Sequence, residues 1–425
     1  MVEAELKAFV RDPERIHAAL SARAVGDRVR HDGRVTLDVA ASALEAARAL
    51  APEIRDRARE GERLRTMPPG LAERIEEAGL FAVWLPRSLG GLELDPATVV
   101  TIIEEISYAD GSAGWTTLIG TSIAFFAWLE PDTARELIAG HPYGASSCTV
   151  APTGSAAPDG AGGFTVSGRW AFNTGIRHAR FSQAGAIMLD EQGAPKVGDD
   201  GAPQWRLAFF PTSRGQVLDT WDSAGLRGTG SHDLVLAGLP VPAELFVNLL
   251  DGQPRHDGPL WRFPAFSYLN VILMGFPLGV ARRALDEFAE LARTKTRGLE
   301  RRLRLADDPH VQVQLAAAEG ALRSARAFAF DVIGTLWDTA CAGDPLRLDQ
   351  RAELSLATQH AVRAAVTAVD GVFRLAGAGA IYADQPLQRC FRDLHTLDTH
   401  TFLSAEARAR YSRHVLGVPQ PSQLL

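Results

Sequence analysis

The sequence predicts an α+β protein of three successive domains: an N-terminal helical domain, a central antiparallel β-barrel or sandwich, and a C-terminal four-helix bundle. The chain has 425 residues, which is more than one hydrophobic core usually holds. Apolar residues recur at helical spacing through residues 36–142, alternate in short glycine- and proline-bounded segments through 143–248, and return to long helical spacing through 263–417. Residues 1–35 are an N-terminal extension, and 418–425 are a tail.

Composition and net charge argue against several classes of function. A net charge of −7 gives no electrostatic basis for binding nucleic acid or an anionic membrane. Cys148, Cys341 and Cys390 are far apart and show no metal-ligand spacing, so we expect reduced thiols and no metal. The charged N-terminus lacks an apolar signal region, and no apolar run reaches the ~18 residues of a membrane span. The sequence therefore predicts a cytoplasmic protein.

The helical segments differ in their apolar character. In the first domain, LDVAASALEAARALAPEIRDRAREGERL has apolar residues on one helical face. The later segment GWTTLIGTSIAFFAWL is apolar nearly all round, so we expect it to be buried or to line a pocket. The C-terminal domain contains three long amphipathic helices and a fourth after Pro386, which is the pattern of a bundle.

The fourth of these helices carries an unusual set of polar residues. In QRCFRDLHTLDTH, Arg389, Asp393, Thr396 and His400 are predicted to share one helical face, with His395 on the next. Such charges are costly to bury unless they are paired or used. Two interpretations remain open: a solvated face with an Arg–Asp pair, or part of a chemical site.

Several dispersed motifs resemble one known family. No GxGxxG after a strand, GxSxG elbow or P-loop is present. Instead PRSLGGLELD, EEISYADGSAGW, GRWAFNTG, WDSAGLRGTGSHDLVLAGLPVP and QRCFRDLHTLDTH occur in the order found in the acyl-CoA dehydrogenase superfamily. The resemblance covers roughly residues 36 to 415 and is closest to the two-component, group D flavin-dependent monooxygenases.

The resemblance implies a specific activity. Oxygenase components of this type receive reduced FMN or FAD from a separate reductase and react it with O2. The product is a C4a-hydroperoxyflavin, which hydroxylates an aromatic or polycyclic small molecule. The resemblance also implies an acyl-CoA dehydrogenase-like fold and a homotetramer. Two alternatives stay open: an acyl-CoA dehydrogenase-like flavoprotein oxidoreductase, and an N- or S-oxygenase of the same fold.

The residues themselves favour oxygenation over dehydrogenation. A dehydrogenase of this fold needs a carboxylate base, whereas the segment HTLDTHTFLS offers histidines. A histidine with a pKa near ~6.5 suits proton transfer at neutral pH. By the resemblance, His400 and its neighbour His395 are catalytic. Thr174 takes the place of a serine that is expected to bond the flavin near N5.

The resemblance also assigns cofactor and substrate residues. The expected flavin-binding residues are Trp170, Phe172, Asn173, Thr174, Gly228, Thr229, Ser231, Gly377, Gly379, Arg389 and Arg297. The expected substrate-pocket residues are Trp115, Thr116 and Phe125. Alternating aromatic residues in a strand are often core instead, and a basic helix surface accounts for Arg297 equally well.

Overall fold

The computed structural model describes residues 33–199, 201–297 and 303–421, and most of the predicted N-terminal extension lies outside them. The first part of the described chain contains the α-helices α1 (Gly33–Leu64), α2 (Leu71–Glu77), α3 (Pro96–Ala109), α4 (Gly111–Gly120) and α5 (Pro131–Leu137). A 3₁₀ stretch, Thr121–Trp128, follows α4 directly. Asp110 separates α3 from α4 because its extended backbone ends one helix while its carboxylate accepts the N–H of Ala113 in the next.

Seven strands form the central sheet: β1 (Ser146–Pro158), β2 (Gly163–Asn173), β3 (Phe181–Met188), β4 (Trp205–Pro211), β5 (Gln216–Leu218), β6 (His232–Pro242) and β7 (Phe246–Val247). Their spatial order is β5-β6-β2-β1-β3-β4-β7. The expectation of a wholly antiparallel domain is wrong for one pair, because β1 and β3 run parallel. After β2 the chain turns through residues 174–180 and re-enters on the far side of β1. Alternating polarity cannot reveal this, since it is the same for both strand orientations.

The remaining chain is mainly helical. It contains α6 (Ala265–Leu273), α7 (Gly275–Thr294), a short hairpin of β8 (Thr296–Arg297) with β9 (Leu303–Arg304), α8 (Pro309–Cys341), α9 (Leu348–Ala376), α10 (Pro386–Leu397) and α11 (Ala405–Val415). The stretch 265–294 is long and apolar enough to cross a membrane, but 89% of its most apolar window is buried inside the protein. The predicted fold class, helical then sheet then helical, is confirmed.

The last helical segment ends earlier than its sequence pattern indicates. Pro386 begins α10 as expected, but the helix stops at Leu397. The prediction that His400 shares a helical face with Arg389 and Asp393 is therefore wrong. His400 instead begins a short 3₁₀ turn, Thr401–Leu403, because its ring accepts the N–H of Phe402. This break turns the His400 ring toward α4.

Candidate active site

Three hydroxyls and an indole form a continuous hydrogen-bonded chain between α4 and the sheet. Trp115 Nε1 donates to Thr174 Oγ1 at 3.2 Å. Thr174 Oγ1 lies 2.8 Å from Ser231 Oγ, and Ser231 Oγ lies 2.7 Å from Thr229 Oγ1. Thr229 Oγ1 then donates to the carbonyl of Leu226 at 2.8 Å. All five residues are buried. These hydrogen bonds connect the two predicted flavin motifs, residues 170–175 and 225–231, inside the protein.

An aromatic cluster lies on the other side of Trp115. The His400 ring meets Trp115 edge to face at 5.4 Å, and Phe276 packs edge to face on Trp115 at 5.5 Å. Phe402 stacks on His400 at 5.4 Å, and Phe266 contacts Phe402 at 5.7 Å. Three of these rings come from different helices, which explains why the sequence alone identified only Trp115 and His400. The cluster gives an apolar wall of the kind that suits an aromatic ligand.

The protonation of His400 differs from the sequence expectation. Burial lowers the pKa of His400 from its ordinary value to about 4. Its Nδ1 accepts the N–H of Phe402 at 3.3 Å, so the proton of the neutral ring lies on Nε2. A titrating imidazole near pH 6.5, as assumed from the sequence, is therefore wrong. The geometry provides a neutral N–H donor.

The charges on α10 are used to hold the site together. Arg389 is buried and pairs with Asp110 at 3.3 Å and with Glu62 at 3.8 Å. Asp393 is also buried, and its Oδ1 accepts the N–H of Leu226 at 2.6 Å. Burial, with a further contribution from the nearby Asp110 carboxylate, raises the pKa of Asp393 to about 7. The solvated-face interpretation of this helix is therefore wrong.

These pairs brace both elements that carry the hydroxyl chain. Asp110 is the N-cap of α4, the helix of Trp115. Ser112 on the same helix accepts the N–H of Gly228 through its hydroxyl at 3.1 Å. Neither Ser112 nor Leu226 is predicted from the sequence to contribute to the site. The only available signal was the glycine-rich character of residues 225–230, which indicated close packing without identifying the partner.

The other expected flavin residues in β2 separate into core and surface. Trp170 is fully buried in the sheet's core, where its Nε1 donates to the carbonyl of Gly185 at 2.7 Å. Asn173 is also buried and donates to the carbonyls of Trp170 and His232. Phe172, in contrast, is 71% exposed. The structure thus supports the core alternative for Trp170.

Several predicted residues lie away from the hydroxyl chain. His395 pairs with Asp370 at 2.8 Å and packs on Phe391. Phe125 packs on Trp128 in the core of the first helical domain. Arg297 pairs with Asp308.

The glycines after α9 lie beside a basic side chain, Lys295, that is not predicted from the sequence to belong to the site. Gly377 and Gly379 follow the end of α9, and Lys295 donates to the carbonyl of Ala376 at 2.6 Å. A Cβ added at Gly379 would lie 2.7 Å from Lys295 Nζ. This segment therefore places glycine backbone, which carries no Cβ, beside the amine of Lys295.

Residues near the hydroxyl chain suit a flavin. Phe172 has a left-handed backbone, with φ of 63°, two residues before Thr174, and its exposed ring meets Trp221 edge to face at 6.1 Å. A strained backbone that holds an aromatic ring outward provides a flat apolar surface for an isoalloxazine ring. Thr116 Oγ1 is buried without a hydrogen-bond partner among the described residues. The described residues contain no group of His, Cys, Asp and Glu side chains that could hold a metal.

Comparison with known proteins supports the same family. Models described as the N-terminal and C-terminal domains of acyl-CoA dehydrogenase match residues 40–130 and 271–405. The chain is 38% identical to an indole-3-acetate monooxygenase of Pseudomonas putida over 84% of this chain and 89% of the relative. A relative of the same name from Acinetobacter baumannii is 30% identical over the same shares.

A solved structure agrees with these relatives. The HsaA monooxygenase from M. tuberculosis superposes with a TM-score of 0.82 at 26% identity, covering 91% of this chain and 100% of that one. The corresponding protein of Mycobacterium tuberculosis is named the oxygenase subunit of a flavin-dependent monooxygenase. Fold and sequence similarity agree: the chain belongs to the acyl-CoA dehydrogenase superfamily and, within it, to the flavin-dependent monooxygenases.

Proposed function

We propose that this protein is the oxygenase component of a two-component system that hydroxylates an indole-type aromatic small molecule. The observation that supports this most strongly is the position of Trp115, which contacts an aromatic cluster through its ring and the hydroxyl chain through its nitrogen. Relatives that are 38% and 30% identical are named for indole-3-acetate. Reduced flavin, FMN or FAD, is supplied by a separate reductase as a diffusive partner.

The flavin, when bound, supplies the activation of O2, and the protein supplies position and exclusion of water. Thr174 would face N5 of a bound flavin, Ser231 and Thr229 would support Thr174 from behind, and Phe172 would lie against the flavin ring. Trp115, Phe276 and Phe402 exclude water from the reacting space. His400 is catalytic through its Nε2–H, which donates a hydrogen bond to an oxygen atom at the reacting centre.

Neither of the two carboxylates nearest to His400 in sequence is placed as the base that the dehydrogenase alternative requires. The carboxylate of Asp398, which lies between the two histidines in sequence, pairs with Arg408 at 2.6 Å. Glu406, the next carboxylate along the chain, is exposed on α11. Oxidation at sulfur or nitrogen remains an alternative outcome of the substrate test.

The protein assembles as a homotetramer through its C-terminal helices and works in the cytoplasm. Helices around 265–295 and 311–340 carry apolar residues on more than one face. Val313, Ile381 and Tyr382 are exposed apolar residues of this region, each more than 60% accessible.

Within one subunit, the chain is divided into three domains, at residues 36–142, 143–248 and 263–417. By the resemblance, Gly377, Gly379, Arg297 and Arg389 would face the flavin phosphates.

A titration followed by a substrate panel tests this function. The protein is titrated anaerobically with reduced FMN and with reduced FAD, then mixed with oxygen and indole-3-acetate, indole, a phenol or an aromatic thioether. Hydroxylated indole product is the expected result. Reduction of bound oxidised FAD by an acyl-CoA thioester would instead identify a dehydrogenase. Light scattering tests the tetramer, and a stable monomer at micromolar concentration would contradict it.

A further inference from the structure

The hydroxyl chain has only one fully satisfied arrangement of its protons. A carbonyl oxygen accepts and never donates, so Thr229 must donate its single hydroxyl proton to the carbonyl of Leu226. Ser231 must then donate to Thr229, and Thr174 must donate to Ser231. At the other end, the indole of Trp115 can only donate, and it does so to Thr174. Every hydrogen bond in the chain therefore points the same way.

The carbonyl that ends the chain is held in place from several sides. Leu226 is buried with a left-handed backbone, φ 52°, which is unfavourable for a leucine. Its N–H donates to Asp393 at 2.6 Å, and its carbonyl also accepts from Trp221 Nε1 at 3.0 Å. Because this peptide group cannot turn, the direction of the chain is built into the fold.

The direction of these hydrogen bonds determines which further hydrogen bond Thr174 can make. Its proton is committed to Ser231 and one lone pair to Trp115, so the oxygen has a single lone pair left. Thr174 can accept a further hydrogen bond but cannot donate one. A partner with an N–H fits this oxygen, whereas a partner with a lone pair meets repulsion between two acceptors.

We propose that Ser231 and Thr229 are positioning residues that fix Thr174 as an acceptor and thereby make the site prefer reduced flavin over oxidised flavin. This inference rests on the proposed function, in which Thr174 faces N5 of the flavin. Reduced flavin carries a hydrogen on N5, and oxidised flavin carries a lone pair there. The chain thus retains the form that reacts with oxygen and releases the spent form, which a component that obtains its flavin by diffusion requires.

Binding measurements on matched variants test the inference without using activity. Dissociation constants for oxidised FMN and FAD, and for the dithionite-reduced forms under anaerobic conditions, are measured for the wild type, Ser231→Ala, Thr229→Val and Thr229→Ser. Ser231→Ala frees the Thr174 proton, and Thr229→Val lets Ser231 turn its proton toward Thr174. Either change allows Thr174 to donate to oxidised N5. Thr229→Ser keeps the hydroxyl and is the control.

The ratio of the oxidised to the reduced dissociation constant is the decisive quantity. It is expected to exceed one in the wild type and in Thr229→Ser, and to fall about tenfold in Ser231→Ala and Thr229→Val. The same change lowers the midpoint potential of bound flavin by about 30 mV for the two-electron couple. A merely structural role would weaken both flavin forms together and leave the ratio unchanged.

The possible failures are distinguishable. Ratios that stay within about twofold of the wild type in both Ser231→Ala and Thr229→Val would overturn the inference. A wild type that binds both forms equally yet hydroxylates with reduced flavin would overturn it while leaving the proposed function intact. A wild type that binds neither flavin would remove the proposed function and the inference together.

Discussion

The indole nitrogen of Trp115 donates a hydrogen bond to the hydroxyl of Thr174 at 3.2 Å. The same indole ring meets the imidazole of His400 edge to face at 5.4 Å. One side chain therefore connects the hydroxyl assigned to the flavin with the histidine assigned to the substrate, although the three residues are 59 or more positions apart in sequence. Substitutions at these positions should separate the two functions.

Trp115→Phe keeps an aromatic ring but removes the donor to Thr174. Losing one hydrogen bond costs about 0.5–1.5 kcal/mol, or roughly two- to tenfold. We expect the yield of hydroxylated product per O2 consumed to fall by that factor, with the difference appearing as hydrogen peroxide. An oxygen electrode combined with product chromatography measures both quantities. An unchanged yield would show that the contact with Thr174 has no role in coupling.

Thr174→Val should uncouple the enzyme more strongly than Trp115→Phe, because it removes the hydroxyl that joins Trp115 to Ser231. Loss of this hydroxyl also leaves Ser231 without its hydrogen bond from Thr174. We therefore expect about a ten- to hundredfold loss of product with continued oxygen consumption. Thr174→Ser retains the hydroxyl and should remain within a fewfold of the wild type. If the serine and valine variants behave alike, the methyl group matters and the hydroxyl does not.

His400 should act without titrating near neutral pH. Because burial lowers its pKa to about 4, the ring is neutral throughout pH 5.5–8, and its ionisation adds no acidic limb near pH 6.5 to the rate profile. His400→Gln places an N–H near the position of Nε2 and should retain more activity than His400→Asn or His400→Ala. A rate that follows a pKa near 6.5 in the wild type and flattens in His400→Gln would restore the acid–base role.

Asp393 should make stability depend on pH in a defined direction. Its pKa is raised from 3.8 to about 7 in the folded protein, so its favourable contribution is complete below pH 4 and is lost as pH rises through 7. Asp393→Asn stays neutral at every pH. Relative to the wild type, its free energy of unfolding should therefore increase between pH 5 and pH 8, by an amount on the order of a few kcal/mol.

Urea denaturation at both pH values measures this difference. The comparison isolates Asp393 because the other carboxylates titrate in both proteins. Asp393→Asn retains an oxygen that can accept from Leu226, so the anchor of the 225–231 loop is not removed at the same time. A difference in stability that does not change between pH 5 and pH 8 would mean that Asp393 is already ionised at pH 5.

The sequence supported the fold and part of the site for physical reasons. Helical and alternating patterns identified the elements, and the 170–175 and 225–231 motifs do meet in the structure. The parallel β1–β3 pair escaped prediction because strand orientation does not alter side-chain alternation. The tautomer of His400 escaped it because the tautomer depends on a local hydrogen bond from Phe402. The partners of Arg389 and Asp393 required knowledge of which distant elements pack against α10.

A single turnover with labelled oxygen tests the central claim most directly. The protein is loaded anaerobically with one equivalent of reduced flavin and mixed with isotopically labelled O2 and indole-3-acetate, and the products are examined by mass spectrometry. We expect an aromatic product that carries one labelled oxygen atom, in a yield that falls in Thr174→Val. Hydrogen peroxide as the sole product across the aromatic panel, or an oxygen atom derived from water, would contradict it.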